Sequence, residues 1–190
     1  MRSLITALFL LLHAAAAQAD GTLDGILTAE DKARLARFDQ TLAGALDEAA
    51  AGAPADVAVL RSALDGKPLP LADGYDPRGN WSCRVLKLGK IAPLTVYPPF
   101  KCVIGEDDMG WMLRKVSGSQ RTEGHFYTES TTRLVYVGAG HVQGENPRRY
   151  GESPDENQVA IVERLGEKRI LLFFPQPQYE SNLDILVLEK

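Results

Sequence analysis

Histidine is the residue type that would most readily supply acid–base chemistry or a metal ligand in this chain. Beyond residue 20 only His125 and His141 remain. They fall in segments that we expect to be neighbouring strands, where their rings could approach each other. Neither lies in an HExxH motif, and the chain has no GxSxG motif. We therefore expect ordinary strand histidines, no catalytic residue, no cofactor and no metal site, and a protein that is not an enzyme.

The segment SGSQRTEG, residues 117–124, gathers hydroxyl, amide and charged side chains into one predicted turn. Gln120 and Arg121 are its candidate ligand contacts, because a guanidinium group presents a planar pair of donors to a carboxylate or phosphate. Serine and glycine also suit a hairpin turn that binds nothing. A simple turn is the favoured interpretation, and ligand contact is the alternative.

A second candidate is the segment GENPRRYGESPDEN, residues 144–157, the longest irregular stretch in the second half of the chain. Long loops in compact domains are often functional. Arg148, Arg149 and Tyr150 have the composition that protein interfaces prefer, a basic pair next to an aromatic ring. The sequence thus predicts a partner contact here, although a charged loop that meets only water fits as well.

Cys83 and Cys102 are the only cysteines, and both lie in the stretch GNWSCRVLKLGKIAPLTVYPPFKCVI. Apolar residues alternate around each of them, so each should share the buried face of a strand with its neighbours. In an exported protein, two such cysteines most simply form a disulfide. Without a CxxC spacing, a redox-active or metal-binding pair is the weaker interpretation.

The first residues have the pattern of a secretory signal peptide. Arg2 precedes an apolar run from Leu4 to Leu12, and Ala17-Gln18-Ala19 suits the cleavage rule. We expect residues 1–19 to be removed. The run is shorter than the roughly 20 residues that a spanning helix needs, and no later stretch is long and apolar enough to span a membrane after cleavage.

The remaining 20–190 segment is long enough for one domain. The formal net charge of the whole chain is −4, which disfavours nucleic acid as a partner, since such binding wants a basic face.

Helical patterning is confined to the region before residue 78. Thr28 is a suitable N-cap, and Leu35, Phe38, Leu42 and Leu46 follow at helical spacing. Gly52 and Pro54 interrupt the pattern, which resumes and then stops at Gly66. Residues 20–78 should therefore form a helical hairpin and a surface linker.

From Asn80 the period of the apolar residues changes to two, which predicts strands. We place them at 80–88, 100–105, 110–117, 124–129, 132–142, 157–165, 169–175 and 182–189. Strands this close in sequence favour an antiparallel barrel of about eight strands, or a rolled sheet, over residues 79–190. The later strands are apolar on both faces, so the helices should pack outside the barrel as part of the same mainly β domain of the α+β type.

Several segments resemble a domain-of-unknown-function family, number 4893, whose members are secreted proteins of Gram-negative bacteria. The matching segments are TAEDKARLARFDQ, WSCRVLKLG, YPPFKC, LRKVSGSQR, RLVYVGAG, VAIVERLGEKRILLFFPQP and YESNLDILVL. The resemblance implies a periplasmic location. It brings no activity and no catalytic residues.

Gly79-Asn80-Trp81 also resembles the G-x-W that opens the first strand of calycin-type barrels, which include lipocalins and bacterial metalloprotease inhibitors. The resemblance implies that Arg164 or Arg169 packs over Trp81. The helices that precede the barrel here, and the lack of a predicted helix after the last strand, depart from that pattern.

Three functions are consistent with these features. The first is a non-enzymatic binding module that contacts a periplasmic protein or envelope component. The second is a lipocalin-like carrier of a small apolar ligand, and the third is a protease-inhibitor-like protein or a divergent hydrolase. Large side chains such as Trp81, Phe100 and Tyr136 would close the barrel if they point inward, but periodicity does not decide which face is the inner one.

Overall fold

Four helices are followed by nine strands in the computed structural model, which describes residues 20–71 and 74–190. The predicted signal peptide lies outside the described residues. The helices are α1 (Asp20–Ile26), α2 (Ala29–Ala36), α3 (Phe38–Ala49) and α4 (Pro54–Leu64). The strands are β1 (Gly79–Leu88), β2 (Leu94–Val96), β3 (Phe100–Asp107), β4 (Gly110–Lys115), β5 (Gln120–Thr128), β6 (Arg133–Val142), β7 (Asn157–Gly166), β8 (Arg169–Pro175) and β9 (Leu183–Glu189).

The strands form a closed antiparallel barrel, as the sequence predicted. Each strand from β3 to β9 pairs with the next, and β1 completes the circle by pairing with both β3 and β9. The short strand β2 lies outside this count and pairs with the second half of β1. It was not predicted, because three residues followed by Pro98-Pro99 are too short to display a period of two.

The two faces of the barrel wall belong to two separate apolar clusters. The inner cluster contains buried residues from seven strands and from the segment before β1: Leu71, Trp81, Cys83, Cys102, Ile104, Leu113, Leu134, Tyr136, Ala160, Val162, Ile170, Leu172, Phe174, Leu186 and Leu188. The outer cluster joins the alternate strand residues, such as Val135, Leu171 and Phe173, to helix residues such as Phe38, Ala45 and Leu60. The helices therefore cover the outer wall, which explains why the later strands are apolar on both faces.

The helical region is more divided than its apolar pattern indicated. Thr28 is the N-cap of α2, and its Oγ1 accepts a hydrogen bond of 3.1 Å from the backbone N–H of Asp31. A break at Arg37 separates α2 from α3 within one continuous apolar stripe. Helix α1 was not predicted, because DGTLDGI combines two glycines with acids and has little helical propensity.

The segment between α4 and β1 does more than cross the surface, where it was predicted to lie. Leu69 pairs with Arg164 of β7, and the backbone N–H of Leu71 donates to the carbonyl of Thr131 at 2.9 Å. The side chain of Leu71 is buried in the inner cluster. This segment therefore helps to close the end of the barrel where β1 begins, which we call the lower end.

Trp81 also lies at the lower end, where its Nε1 donates to the carbonyl of Pro77 at 2.7 Å. The cation over its ring is Lys190, with Nζ 4.4 Å from the ring centroid. The expectation that Arg164 or Arg169 takes this place is wrong. Arg164 lies over Tyr75 of the linker, and Arg169 donates to the carbonyls of Ser62 in the last turn of α4 and of Asp65 just after it, so both arginines have other partners.

Cys83 and Cys102 form the predicted disulfide. They lie on adjacent strands, β1 and β3, with Cα atoms 5.8 Å apart, and both are almost fully buried in the inner cluster. The bond therefore links the first two strands of the barrel from the inside. No helix within the described part of the chain is long and apolar enough to cross a membrane.

Replacing both cysteines by alanine should lower the free energy of unfolding by about 3 kcal/mol, because the bond closes a loop of about 20 residues in the unfolded chain. Urea unfolding of both proteins, each with and without a reducing agent, measures this difference. Reduction should destabilise the wild type by a similar amount and leave the double variant unchanged. Equal midpoints for oxidised and reduced wild type would contradict a stabilising role.

Candidate functional site

Tyr136 divides the interior of the barrel into a filled lower half and a hollow upper half. Its side chain is completely buried, and its hydroxyl is 2.5 Å from Thr122 Oγ1 on β5. The ring packs edge-on against Phe174 at 5.7 Å and tilted against Phe126 at 5.9 Å. Below these rings the residues of the inner cluster line a gap of only about 10 Å³, and above them a cavity of about 520 Å³ opens at the upper end.

One glycine makes room for the Tyr136 ring, and a second lets the neighbouring strand approach closely. Gly124 and Gly138 lie directly opposite each other on β5 and β6. A Cβ atom on Gly138 would lie 2.4 Å from the hydroxyl of Tyr136, and one on Gly124 would lie 2.4 Å from the Cα of Gly138. Any other residue at these positions would force the strands apart or move the ring. The position of the Tyr136 ring thus depends on this glycine pair.

The cavity is lined by both apolar and polar side chains. Val85, Phe100, Phe174 and Leu186 contribute apolar surface, and they point inward from four strands. The polar groups are mainly inward-facing residues near the upper strand ends: Lys87, Lys115, Gln120, Thr122, Gln158 and Asp184. Loops that contain Ser119, Glu156 and Tyr179 complete the rim. A pocket of this kind, apolar with a few convergent polar groups, is the usual form of a small-molecule site.

Lys115 is the most unusual of these polar residues, because it is a lysine with only 6% of its surface exposed. Its Nζ donates to the carbonyls of Ser117 at 3.0 Å and Gln120 at 2.6 Å. It also lies 3.9 Å from the centroid of the Phe100 ring. Burial, with added repulsion from Arg121 and Lys87, lowers the pKa of Lys115 to about 8.

Lys87 has a very different environment on the other side of the mouth. It pairs with Glu180 of the β8–β9 loop and lies 3.9 Å from Asp184 Oδ2. Burial lowers the pKa of Lys87, but the two carboxylates outweigh it and leave the pKa above the usual value. Burial raises the pKa of Asp184, against the opposing effects of Lys87 and Ser181. The positive charge of Lys87 is therefore balanced by the carboxylates of Glu180 and Asp184.

Gln120 and Arg121 both line the cavity, but they are not in a turn as predicted. Strand β5 begins at Gln120, because residues 120–128 pair with β6 along their full length, and this pairing outweighs the turn-forming composition. The Oε1 of Gln120 accepts from Lys87 at 3.2 Å. Arg121 donates through Nε to the carbonyl of Gly118 at 3.2 Å and lies at the rim.

Tyr150, in the loop between β6 and β7, hydrogen-bonds the first turn of helix α2. The Tyr150 hydroxyl donates to Asp31 Oδ2 at 2.5 Å and accepts from the backbone N–H of Thr28 at 3.0 Å. Asp31 is also paired with the buried Arg34 at 2.8 Å. Arg34 in turn donates to the carbonyl of Pro175 at 3.1 Å, at the upper end of β8. Tyr150 is thus engaged within the chain.

Arg148 and Arg149 are both exposed in the same loop. Arg148 pairs with Glu156 at 3.1 Å, and the backbone N–H of Arg149 donates to Glu152. Their contact with a partner stays a prediction.

The two histidines are not brought together. His125 Nε2 is 2.8 Å from Asp107 Oδ2, whereas His141 lies at the rim of the cavity. Within residues 20–71 and 74–190, no three histidine, cysteine or carboxylate side chains converge as metal ligands would.

Lys87, Lys115 and Asp184 were not predicted from the sequence as site residues. Each occupies an inward position of its strand: Lys87 continues the series of Cys83 and Val85, and Lys115 follows Leu113 by two residues. A charged residue in the buried register of a strand was the available signal. It could not be used without knowing which face of each strand points inward.

Comparison with known proteins agrees with the sequence resemblance. The model of the family described as Domain of unknown function (DUF4893) matches residues 24–188. The chain belongs to this family. The match includes α2 to α4, strands β1 to β8 and all of β9 but its last residue, so the helices are part of the family's domain along with the barrel. No curated protein and no solved structure is significantly similar to the chain.

Changing Tyr150 to Phe should lower the free energy of unfolding by about 1–3 kcal/mol, since the buried carboxylate of Asp31 loses a hydrogen bond. Urea unfolding measures this loss. The matched control is Tyr179→Phe, because the side chain of Tyr179 is 69% exposed and should tolerate the change. Equal losses in the two variants would contradict a specific role for Tyr150.

Lys115 should also make the folding stability depend on pH. Between about pH 8 and the ordinary lysine value of 10.5, the unfolded chain binds the proton while the folded chain has lost it. The free energy of unfolding of the wild type should therefore rise across this window relative to Lys115→Met. Chemical unfolding at pH 7, 8, 9 and 10 measures the difference. The exposed Lys101→Met should follow the wild type, and parallel curves for wild type and Lys115→Met would contradict the buried charge.

Proposed function

We propose that the protein is a non-enzymatic binding protein that holds one small amphiphilic molecule in the upper half of its barrel. The observation that carries this proposal is the division of the interior at Tyr136, with a cavity of about 520 Å³ above it. This volume lies inside the usual range for small-molecule sites, about 300–1,000 Å³.

The sizes of the inward-facing side chains differ between the two halves of the barrel, and this difference supports a binding cavity in the upper half. An eight-stranded barrel is narrow enough for its own side chains to fill. The lower half is filled in this way by large residues such as Trp81, Leu134 and Leu172. The upper half instead contains Gly140, Thr122 and Val85, which leave space between the walls. Because larger side chains could fill the upper half as they fill the lower half, an upper half left open is most simply explained by a ligand that binds there.

The chemistry of the walls favours an amphiphile over a wholly apolar molecule. Apolar surface from Phe174 and Leu186 would suit the body of the ligand. An entirely apolar ligand would cover Lys115 and Gln158 without offering them hydrogen bonds, which costs free energy. This proposal narrows the predicted carrier of a small apolar ligand to a carrier of a molecule with a polar end.

A binding surface for a periplasmic protein or envelope component remains a second candidate. Arg148 and Arg149 favour it, because both side chains are exposed on one loop. The aromatic residue of that loop, Tyr150, already packs against α2, so the loop offers a partner fewer anchors than its composition indicated. For this reason the cavity has more support than the loop.

We also propose that the protein is exported and works in the periplasm. The pattern of residues 1–19 supports export. The Cys83–Cys102 bond supports an oxidising compartment, since such bonds are rare in reducing ones.

Native mass spectrometry of the protein purified from the cells that make it tests the cavity. The wild type should have a reproducible extra mass that disappears on denaturation. Val85→Trp should lack this mass, because Val85 lines the cavity and a larger ring there would occupy it. The matched control is Ser82→Trp, an exposed position on the same strand, which should keep the extra mass.

Circular dichroism of both tryptophan variants confirms that each is folded before the masses are compared. An extra mass that persists unchanged in folded Val85→Trp would move the ligand away from the barrel. A bare chain in the wild type and in both variants would contradict the proposal.

A further inference from the structure

Positive charge is in excess around Lys115 at the cavity mouth. Lys87 of β1, Lys115 of β4 and Arg121 of β5 meet there, and the facing acids are Asp184 of β9 and Glu180 of the β8–β9 loop. Both acids are engaged by Lys87. Strand β3 contributes Phe100 and the disulfide-bonded Cys102 next to Lys115, neither of which titrates.

The far side of the mouth does not supply the missing negative charge. The carboxylate of Glu156 is already paired with Arg148, and that of Asp31 is already paired with Arg34. Asp155 is exposed to solvent at the rim. Among the described residues, Lys115 has only backbone carbonyls and an aromatic ring as partners. A buried cation without a carboxylate is costly, and a bound anion would remove that cost.

Apolar surface continues directly from Lys115 into the barrel. The ammonium group lies over the Phe100 ring, and Val85, Leu186 and Phe174 line the wall of the same cavity; Phe174 in turn packs against Tyr136. A molecule with one charged end would thus find a cation at the mouth and hydrocarbon surface beneath it. The three N–H groups of a lysine exceed its two hydrogen bonds here, so one donor is left for a ligand.

We propose that the ligand is an organic monoanion, with a carboxylate or sulfate head at Lys115 and an apolar body that extends toward Tyr136. This inference rests on the proposed function of the cavity. The competing explanation is purely structural: Lys115 ties the β4–β5 turn to the barrel through the carbonyls of Ser117 and Gln120. The two differ in what happens to anion binding when the ammonium group is removed.

Calorimetric titration of the purified full chain with four probes tests the inference. The probes are octanoate, octyl sulfate, octanol and octylammonium, which share one tail and differ in the head. Octanoate or octyl sulfate should bind with a 1:1 stoichiometry and at least about tenfold more tightly than octanol. Octylammonium should bind more weakly than octanol. Whichever anion binds more tightly identifies the head group.

Variants at Lys115 provide the specific readout. Lys115→Met should reduce the anion affinity to that of octanol, while the octanol affinity stays within about threefold of the wild type. Lys115→Arg should retain the anion preference, and the exposed Lys101→Met should behave as wild type. Above about pH 8 the wild type should lose anion affinity as Lys115 loses its proton, whereas octanol binding should not change.

The outcomes separate this inference from the proposal on which it rests. Octanol binding as tightly as the anions, or an anion preference that survives in Lys115→Met, would overturn the anionic ligand and leave the cavity as a binding site. Failure of all four probes to bind would overturn both. Equal binding of the anions to folded Val85→Trp would place them outside the barrel and overturn the inference.

Discussion

The packing of one phenol ring across the middle of the barrel determines how the rest of the interior is used. Tyr136 hydrogen-bonds Thr122 on the adjacent strand β5, and its ring packs against those of Phe126 and Phe174. The barrel wall next to its hydroxyl consists of backbone, because Gly138 on the same strand and Gly124 on the adjacent strand carry no side chain. Everything below the ring is a conventional apolar core. Above the ring the side chains leave the barrel unfilled, and polar residues such as Lys87 and Lys115 line the cavity together with apolar residues such as Val85 and Leu186.

This division explains how a small domain tolerates one buried and one partly buried lysine. Isolated charges in an apolar core destabilise a fold, so they are rare without partners. Lys87 has carboxylate partners of its own, and Lys115 uses carbonyl groups and the face of Phe100. Both residues lie above Tyr136, where an open mouth keeps water near the charges. The same residues would be far more costly one layer lower, next to Leu172 or Trp81.

The sequence was sufficient for the architecture, since a period of two is a local property that each strand displays separately. The barrel, the outer helices, the N-cap at Thr28 and the Cys83–Cys102 bond were all predicted. The short strand β2 and the role of Leu71 were not, because they depend on contacts with distant segments.

The site was only partly visible for the same reason. Gln120 and Arg121 were selected for their chemistry, and they do line the cavity. Lys115 was passed over because its meaning depends on which face of β4 is buried, and that follows from closure of the barrel, not from any local pattern.

The position of the disulfide has a consequence for the order of folding. Closure joins Ser82 to Glu189, residues at opposite ends of the barrel sequence, and such distant pairs form late because a long chain must be brought together first. Cys83 and Cys102 lie in the first two strands of the barrel. Oxidation can therefore fix the starting hairpin while the last strand is still being delivered across a membrane, if the protein is exported as proposed. The bond would then act as a template on which the remaining strands add in turn, until β9 reaches the free edge of β1.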